Sequence, residues 1–326
     1  MEFDAARKIL DKEYQIILGD KHDENLYLLG QISAHNAVIS CLPKGWKGNN
    51  PAAVVATRMM GKFSNIKIGL LVGIGGGLPS KRNDIWLGDV VVGTPDGQYG
   101  GVVQYDMGKY TEDGFEQTGS LNAPPERLLN VLQLMPGHGA TLKNSYSTLY
   151  PGEELDQLYN ADYERTNGNR SNGPHVWYGT IASGNAVIKD ATKRRMLIEK
   201  HNALCCEMEA SALMNSSFPC LVIRGISDYA DSHKNDKWQD YAAATAAQYA
   251  KDFLTNVPQD TVPKLSPIQG VYRAPFVHPW MLRMILAQNL LHLIGTLYPT
   301  SDFVDSRLYH HPRSFLLPPI YVGRRE

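Results

Sequence analysis

The sequence predicts an α/β fold, and two observations support this prediction. Short apolar runs typical of strands alternate along the chain with segments of helical periodicity. The second observation is the segment 202–236, which by itself reads as strand, helix, strand and loop. Its runs 203–206 and 220–223 are typical of strands buried on both faces, and 210–215 between them consists of good helix formers.

The first half of the chain follows this alternation. A short helix is expected at 3–12, where Ala5, Ile9 and Leu10 share one face. Pro51 suits the first turn of a second helix at 52–63, because the N–H that proline lacks would be unpaired there. Turn residues separate the expected strands, which are 14–18, 26–32, 37–42 and 66–72. A glycine-rich loop is expected at 73–87.

The second half predicts one domain and a tail. Strands are expected at 89–94, 101–106 and 176–182, and helices at 125–134, 186–200 and 238–257. The polar segment 163–174 is expected to be a surface insertion. Prolines interrupt the chain from Pro258 onward and the α/β alternation ends there. We therefore expect a domain at 1–257 and an atypical tail at 258–326, irregular or helical.

The composition limits the classes of partner and cofactor that we expect. The formal net charge is −1 without blocks of like charge, so no nucleic-acid partner is expected. No uninterrupted apolar run predicts a membrane span, and the first residues lack a signal-peptide pattern. All four cysteines lie in apolar, strand-like runs, which predicts reduced core residues and a cytoplasmic setting. Adjacent Cys205 and Cys206 have poor spacing for zinc, so no metal site is predicted.

Two acidic residues are candidate site residues. Glu209 and Asp228 each follow a predicted strand, and ligands of open α/β sheets collect beyond the carboxyl ends of strands. Two such carboxylates can divide the work, one binding hydroxyl groups and the other handling a proton. The alternative is structural, with a helix-capping Glu209 and a loop Asp228 satisfied by nearby backbone. Spacing alone favours this alternative.

Six segments together resemble the purine and uridine phosphorylase superfamily (nucleoside phosphorylase-I), which includes the methylthioadenosine/S-adenosylhomocysteine nucleosidases and the nucleoside-phosphorylase-like domains of many fungal proteins. They are LLVGIGGG, GDVVV, VQYD, IASGN, EMEA and RGISDYAD, starting at residues 70, 88, 103, 181, 207 and 224. The resemblance implies three α/β/α layers with a twisted mixed central sheet that curls toward a barrel. It also implies a purine nucleoside as substrate and no cofactor, and we expect a homo-oligomer.

The resemblance assigns roles around the sugar and the base. Asp228 matches the aspartate that protonates N7 of the departing purine, and the Ser227–Asp228 pair argues for a purine over uridine. Arg224 and Ser227 would orient this segment. Glu209 would accept hydrogen bonds from the ribose 2′ and 3′ hydroxyl groups, and Met208 would pack on the sugar face. A purely structural role for Met208 in the core is the alternative.

A second group of candidates would bind the purine base. The segment 183–188 matches the place where the family binds the base, with Asn185, Val187 and Ile188 supplying backbone hydrogen bonds and an apolar wall. An ordinary strand-to-helix loop is the alternative. Tyr105 and Asp106 match a family segment near the sugar.

The glycine segment bears on the type of reaction. It resembles a phosphate-cradling loop, because backbone N–H groups of residues such as Gly75 and Gly76 can approach an anion. Phosphorylases carry an arginine before this loop and a hydroxyl residue inside it, where this chain has Leu71 and Ile74. Nucleosidases lack that arginine and use water. Water is therefore the favoured co-substrate, and phosphate is the alternative.

Glu2 matches the acidic residue that opens the first helix of the family and activates water in nucleosidases, which makes it a second catalytic candidate. The strand that precedes this helix in the family has no match here, so the first strand is expected to be missing. The sequence thus leaves open an enzyme that cleaves the N-glycosidic bond or a degenerate nucleoside-binding domain. A dinucleotide-dependent oxidoreductase is disfavoured, because the glycine spacing differs from G-x-G-x-x-G.

Overall fold

A computed structural model describes residues 1–143, 145–159, 173–216, 218 and 220–258. The predicted tail, apart from Pro258, and all but the last two residues of the predicted insertion at 163–174 lie outside the described residues.

The chain begins with a helix and an antiparallel sheet. Helix α1 (Glu2–Lys8) is followed by strands β1 (Lys12–Leu18), β2 (Leu26–Ile32) and β3 (His35–Ser40), with β2 in the middle. The predicted helix 3–12 is wrong beyond Lys8, because residue 12 already pairs with Gln31 of β2. No strand precedes α1 in the described part of the chain.

The remaining elements surround a second, larger sheet. In chain order they are α2 (Asn49–Lys62), β4 (Gly69–Gly77), β5 (Val90–Gly93), β6 (Val102–Gln104), the hairpin β7 (Gly108–Thr111) and β8 (Gly114–Gln117), α3 (Glu126–Leu132), β9 (Val176–Ser183), α4 (Ala191–His201), β10 (Ala203–Glu207), α5 (Ala210–Met214), β11 (Cys220–Asp228) and α6 (Gln239–Asn256). The hairpin was not predicted. Helix α4 begins five residues later than predicted, because Asp190 caps it by accepting a hydrogen bond from the Thr192 N–H (2.8 Å).

The larger sheet is mixed and closes on itself. Its strand order is β10-β4-β11-β5-β9-β6, and β10 also pairs with β9. Strand β4 is parallel to β11, whereas β10 is antiparallel to β4 and β5 is antiparallel to β11. The extra pairing joins β10, β4, β11, β5 and β9 into a ring. The expected mixed sheet that curls toward a barrel is confirmed.

Helices cover the sheet on both sides. Residues of α2 and α5, such as Ala56 and Met214, pack with Val222 in one buried cluster. Tyr249 and Phe253 of α6 pack with other strand residues in a second cluster. These two clusters join the helices on either side to the central sheet, which gives the predicted α/β/α layers. Cys205, Cys206 and Cys220 are buried in the sheet as predicted, but Cys41 is exposed because it follows the end of β3.

The glycine-rich loop predicted at 73–87 is wrong for its first residues, which belong to strand β4. Strand β4 continues to Gly77 because glycines let its neighbours approach closely on both edges. A Cβ on Gly75 would lie 3.0 Å from the Cys206 carbonyl oxygen of β10, and one on Gly77 would lie 2.7 Å from Ile226 of β11. The backbone of this segment belongs to the sheet and does not form a loop around an anion. Strand β11 is likewise longer than predicted and ends at Asp228.

Candidate functional site

Arg224 crosses the glycine segment of β4. It pairs with Gly73 in the sheet register, and a Cβ on Gly73 would lie only 2.2 Å from Arg224 Nη1. A Cβ on Gly75 would lie 3.5 Å from Arg224 Cβ. Because both positions lack side chains, the guanidinium can pass over β4 toward β10 on the other side. We call these two positions, Gly73 and Gly75, the glycine gap.

Beyond the glycine gap Arg224 meets two carboxylates. Its Nη2 forms an ion pair with Glu207 Oε2 and lies 3.5 Å from Glu209 Oε2. The side chains of Arg224 and Glu207 are 3% and 1% exposed, so this pair is fully desolvated. Burial alone would lower the pKa of Arg224, but Glu207, Glu209 and Glu2 outweigh it and raise that pKa. The guanidinium is therefore a fixed cation.

Glu207 also anchors the turn that carries Glu209. Its carboxylate accepts hydrogen bonds from the N–H groups of Glu209 (3.0 Å) and Ala210 (2.9 Å). On the opposite side, Glu209 Oε1 accepts a hydrogen bond from the Gly48 N–H (3.0 Å). Glu209 is thus held from two directions and is 18% exposed, which leaves it able to meet a ligand.

Asp228 ends β11 at a bulge. The register with β4 slips between Ile226 and Asp228, and bulges of this kind redirect side chains beside functional sites. The carboxylate accepts hydrogen bonds from Ser227 Oγ (2.9 Å) and Lys234 Nζ (2.7 Å) at Oδ2, and from the Ala230 N–H (2.9 Å) at Oδ1. Ala230 has a φ of +53°, a strained conformation for a non-glycine residue.

Glu2 reaches the same strand from α1. Its Oε1 accepts a hydrogen bond from the Ile74 N–H (2.8 Å), and a Cβ on Gly73 would lie 2.6 Å from this oxygen. Glu2 therefore stands beside the Arg224 guanidinium, at the start of the glycine segment. Asp228 stands further along the strand, where a Cβ on Gly76 would lie 3.0 Å from its Oδ1.

The predicted base-binding segment 183–188 is a loop between β9 and α4. The Asn185 N–H donates to Asp106 Oδ2 (2.7 Å), and Asn185 Oδ1 accepts from the Asn49 N–H (3.1 Å) at the start of α2. Tyr105 lies beneath this loop and donates to the Ala186 carbonyl (3.2 Å). Burial raises the pKa of Tyr105, so its hydroxyl stays neutral. Asn185 and Tyr105 thus shape this loop.

The other apolar candidates differ in exposure. Val187 is 41% exposed, Met208 and Ile74 are half-buried, and Ile188 is buried. Among the described residues, no group of three or more His, Cys, Asp or Glu side chains could hold a metal ion. No helix in the same part of the chain is long and apolar enough to cross a membrane.

The structure gathers most of the predicted residues around β4, β10 and β11. It also adds residues that the sequence did not single out, namely Glu207, Gly48 and Lys234. Glu207 could have been found, because an arginine within a buried apolar strand requires a buried counter-charge. Nothing in the sequence indicated Lys234 as a site residue, because a lysine in a polar loop is typical of a solvated surface.

This arrangement gathers carboxylates beside the strands of an α/β fold. The model of the phosphorylase superfamily matches residues 1–255, and the chain belongs to that family. The nucleotide-binding leucine-rich repeat (NLR)-like protein of Hyaloscypha variabilis is 44% identical over 280 residues, 78% of this chain and 28% of that protein. The ATP nucleosidase Cap17 of Escherichia coli is 28% identical over 64% of this chain and 39% of that protein. The chain thus spans less than half the length of both.

Solved structures are similar as well. The 5′-methylthioadenosine/S-adenosylhomocysteine nucleosidase of Helicobacter pylori superimposes with a TM-score of 0.55 at 18% identity, over 78% of this chain and 94% of that one. The futalosine hydrolase of the same organism gives a TM-score of 0.54 at 19% identity, over 78% and 94% of the two chains. At these identities the likeness shows the fold. The expected fold class is confirmed.

Proposed function

We propose that this chain hydrolyses the N-glycosidic bond of a purine nucleoside. The observation that carries the proposal is the position of three carboxylates around β4. Glu2 lies at the start of the glycine segment, Asp228 lies at Gly76, and Glu209 is held beside Arg224. They would serve as the base for water, the acid for the departing purine and the acceptor for ribose hydroxyl groups.

Glu2 and Asp228 contact β4 at separate points. Glu2 lies beside Gly73 and accepts a hydrogen bond from Ile74, whereas Asp228 lies beside Gly76. A strand rises about 3.3 Å per residue, so these points on β4 are roughly 7–10 Å apart. The proposed base for water and the proposed acid for the purine are therefore distinct groups, as the division of work requires.

The proposed step follows from these positions. The bond between C1′ and N9 breaks, its electron pair goes to the base, and Asp228 gives a proton to N7 so that the base leaves neutral. Glu209 stabilises the cationic sugar through its 2′ and 3′ hydroxyl groups, contacts that strengthen as positive charge develops. Glu2 removes a proton from the water that bonds to C1′.

The state of Arg224 favours water over phosphate. Phosphate needs cationic or strong hydrogen-bond donors to replace its hydration. Arg224 is the buried arginine beside the glycine gap, but its charge is already matched by Glu207 and Glu209. Leu71 and Ile74 offer no donor from their side chains. Phosphorolysis is the alternative, and it would require a cation from elsewhere.

The proposed contacts do not determine which group the substrate carries at the 5′ position of its ribose. One relative is an ATP nucleosidase, and another, the 5′-methylthioadenosine/S-adenosylhomocysteine nucleosidase of Mycobacterium bovis, is 26% identical over 72% of this chain. A second candidate function is nucleoside binding without cleavage. It is favoured by the exposed position of Glu2 on the first turn of α1.

A substrate panel tests the proposal. The protein is incubated with adenosine, inosine, guanosine, uridine, 5′-methylthioadenosine and ATP, and the released base is identified by chromatography. We expect release of a purine base and none from uridine, with loss of release in Asp228→Asn. Saturable binding without any released base would replace hydrolysis with the binding function. Sedimentation of the same sample tests the expected homo-oligomer.

A further inference from the structure

Asp228 is a buried acid that must regain a proton after every turnover. Its side chain is 3% exposed, so solvent has little access to it. Lys234 Nζ lies 2.7 Å from Asp228 Oδ2 and its side chain is 24% exposed. The lysine therefore touches the carboxylate on one side and solvent on the other.

The Asp228 carboxylate can accept one more hydrogen bond, from a ligand. An ionised carboxyl group has about four acceptor sites. Ser227 Oγ and Lys234 Nζ occupy two on Oδ2, and the Ala230 N–H occupies one on Oδ1. Among the described residues, the remaining site on Oδ1 is open to the N7–H of a purine.

We propose that Lys234 holds the proton that Asp228 passes to the departing base. This inference rests on the proposed hydrolysis. As the bond between C1′ and N9 breaks, the purine gains negative charge and its proton affinity rises. A proton then moves from Lys234 Nζ to Asp228 Oδ2, the carboxyl group turns about its Cβ–Cγ bond so that this O–H faces the base, and the proton passes to N7. The step leaves a neutral lysine, an ionised Asp228 and a neutral base. Lys234 regains its proton from water, and the proton that Glu2 took from the attacking water returns to solvent. Lys234 is thus a positioning residue that acts through Asp228.

The groups packed around this pair do not supply the proton. The Cys206 thiol of β10 is nearby, but burial, followed by the charge of Asp228, raises its pKa to about 12. Asp231, on the same loop as Lys234, is paired with Arg194 of α4 at 3.1 Å. His233 turns toward Asp231, 3.8 Å away, and stacks on Tyr159.

Two substrates separate proton delivery from structural support. The first is the best purine nucleoside of the panel, whose base needs a proton. The second is 4-nitrophenyl β-ribofuranoside, whose leaving group departs as a stable anion. Lys234→Met should lower kcat for the purine nucleoside about 10²-fold, with KM nearly unchanged. Turnover of the nitrophenyl riboside should remain within about threefold of wild type.

Two further variants complete the experiment. Lys234→Arg keeps the positive charge but cannot release a proton, so it should not restore purine cleavage. Lys237→Met removes an exposed lysine from the same loop and should change neither substrate. The pH profile is a second readout, because without Lys234 Asp228 must take its proton from solvent. The kcat of Lys234→Met should therefore fall as pH rises from 5 to 8, unlike that of wild type.

The contrary outcomes are distinct. An equal loss on both substrates would show a structural role, and full activity of Lys234→Arg would show that only the charge matters. A loss confined to KM for ATP would make Lys234 a phosphate ligand. Unchanged purine cleavage in Lys234→Met, with the pH profile of wild type, overturns proton delivery. If wild type releases no purine base at all, it is the proposed hydrolysis that fails.

Discussion

Adding one methyl group at Gly73 should disable the site while leaving the fold intact. The Cβ of Gly73→Ala would lie 2.2 Å from Arg224 Nη1 and 2.6 Å from Glu2 Oε1, whereas ordinary contact begins at 3.4 Å. Arg224 must therefore move by about 1.2 Å and Glu2 by about 0.8 Å. Arg224 cannot move freely, because Glu207 holds it in a buried ion pair.

The size of the effect follows from these displacements. A misplacement of about 1 Å can cost about 10²-fold in rate, so kcat for purine release should fall by about that factor. Overpacking of this kind costs about 1–3 kcal/mol in the free energy of unfolding, which most folded domains survive. Turnover is measured by chromatography of the released base, and the free energy of unfolding by urea denaturation.

Gly61→Ala is the matched control. Gly61 lies in α2, and a Cβ there would meet nothing within 4 Å. We expect unchanged turnover and a gain of about 0.5–1 kcal/mol in the free energy of unfolding, because alanine suits a helix better than glycine. Wild-type turnover and stability in Gly73→Ala would refute the path of Arg224 over the glycine gap.

Further changes test the individual groups. Asp228→Asn should lower kcat about 10²-fold or more without unfolding the protein, and near-normal turnover would remove Asp228 from the mechanism. Glu209→Gln should reduce turnover of a ribonucleoside more than that of its 2′-deoxy analogue, so equal losses count against the ribose contact. Glu207→Gln should destabilise the fold by up to about 3–5 kcal/mol in urea denaturation, because it removes the buried carboxylate that pairs with Arg224 and leaves Glu209, at 3.5 Å, as the nearest counter-charge, and the double variant with Arg224→Met should recover part of this loss. Burial, followed by two nearby lysines, lowers the pKa of His201 to about 4. The unfolded state therefore binds more protons between pH 6.5 and 4, and the free energy of unfolding should drop by at most about 3 kcal/mol across that range in wild type but not in His201→Phe.

Local pattern was sufficient for much of the fold. The strand expected at 203–206 is β10 and the helix expected at 238–257 is α6, because both have strong local signals. The glycine segment was mistaken for a loop because glycine normally weakens a strand. What keeps it in the sheet is the close approach of β10 and β11, and periodicity carries no information about neighbours across a sheet.

The site was only partly predictable for a related reason. Glu209 and Asp228 follow apolar runs and could be found from their spacing. Their partners come from distant parts of the chain, since Gly48 lies 161 residues before Glu209 and Glu2 lies 72 residues before Ile74. Lys234 is close to Asp228 in sequence, but no pattern indicates that its side chain turns inward to the carboxylate.

The sugar product formed by the wild-type protein in saturating phosphate tests hydrolysis most directly. The best substrate of the panel is cleaved with and without phosphate, and the sugar is identified by mass spectrometry while the rate of base release is followed. Because Arg224 is already neutralised by Glu207 and Glu209, we expect free ribose or its 5′-substituted form, at a rate indifferent to phosphate. A sugar 1-phosphate, formed only when phosphate is present, would contradict hydrolysis.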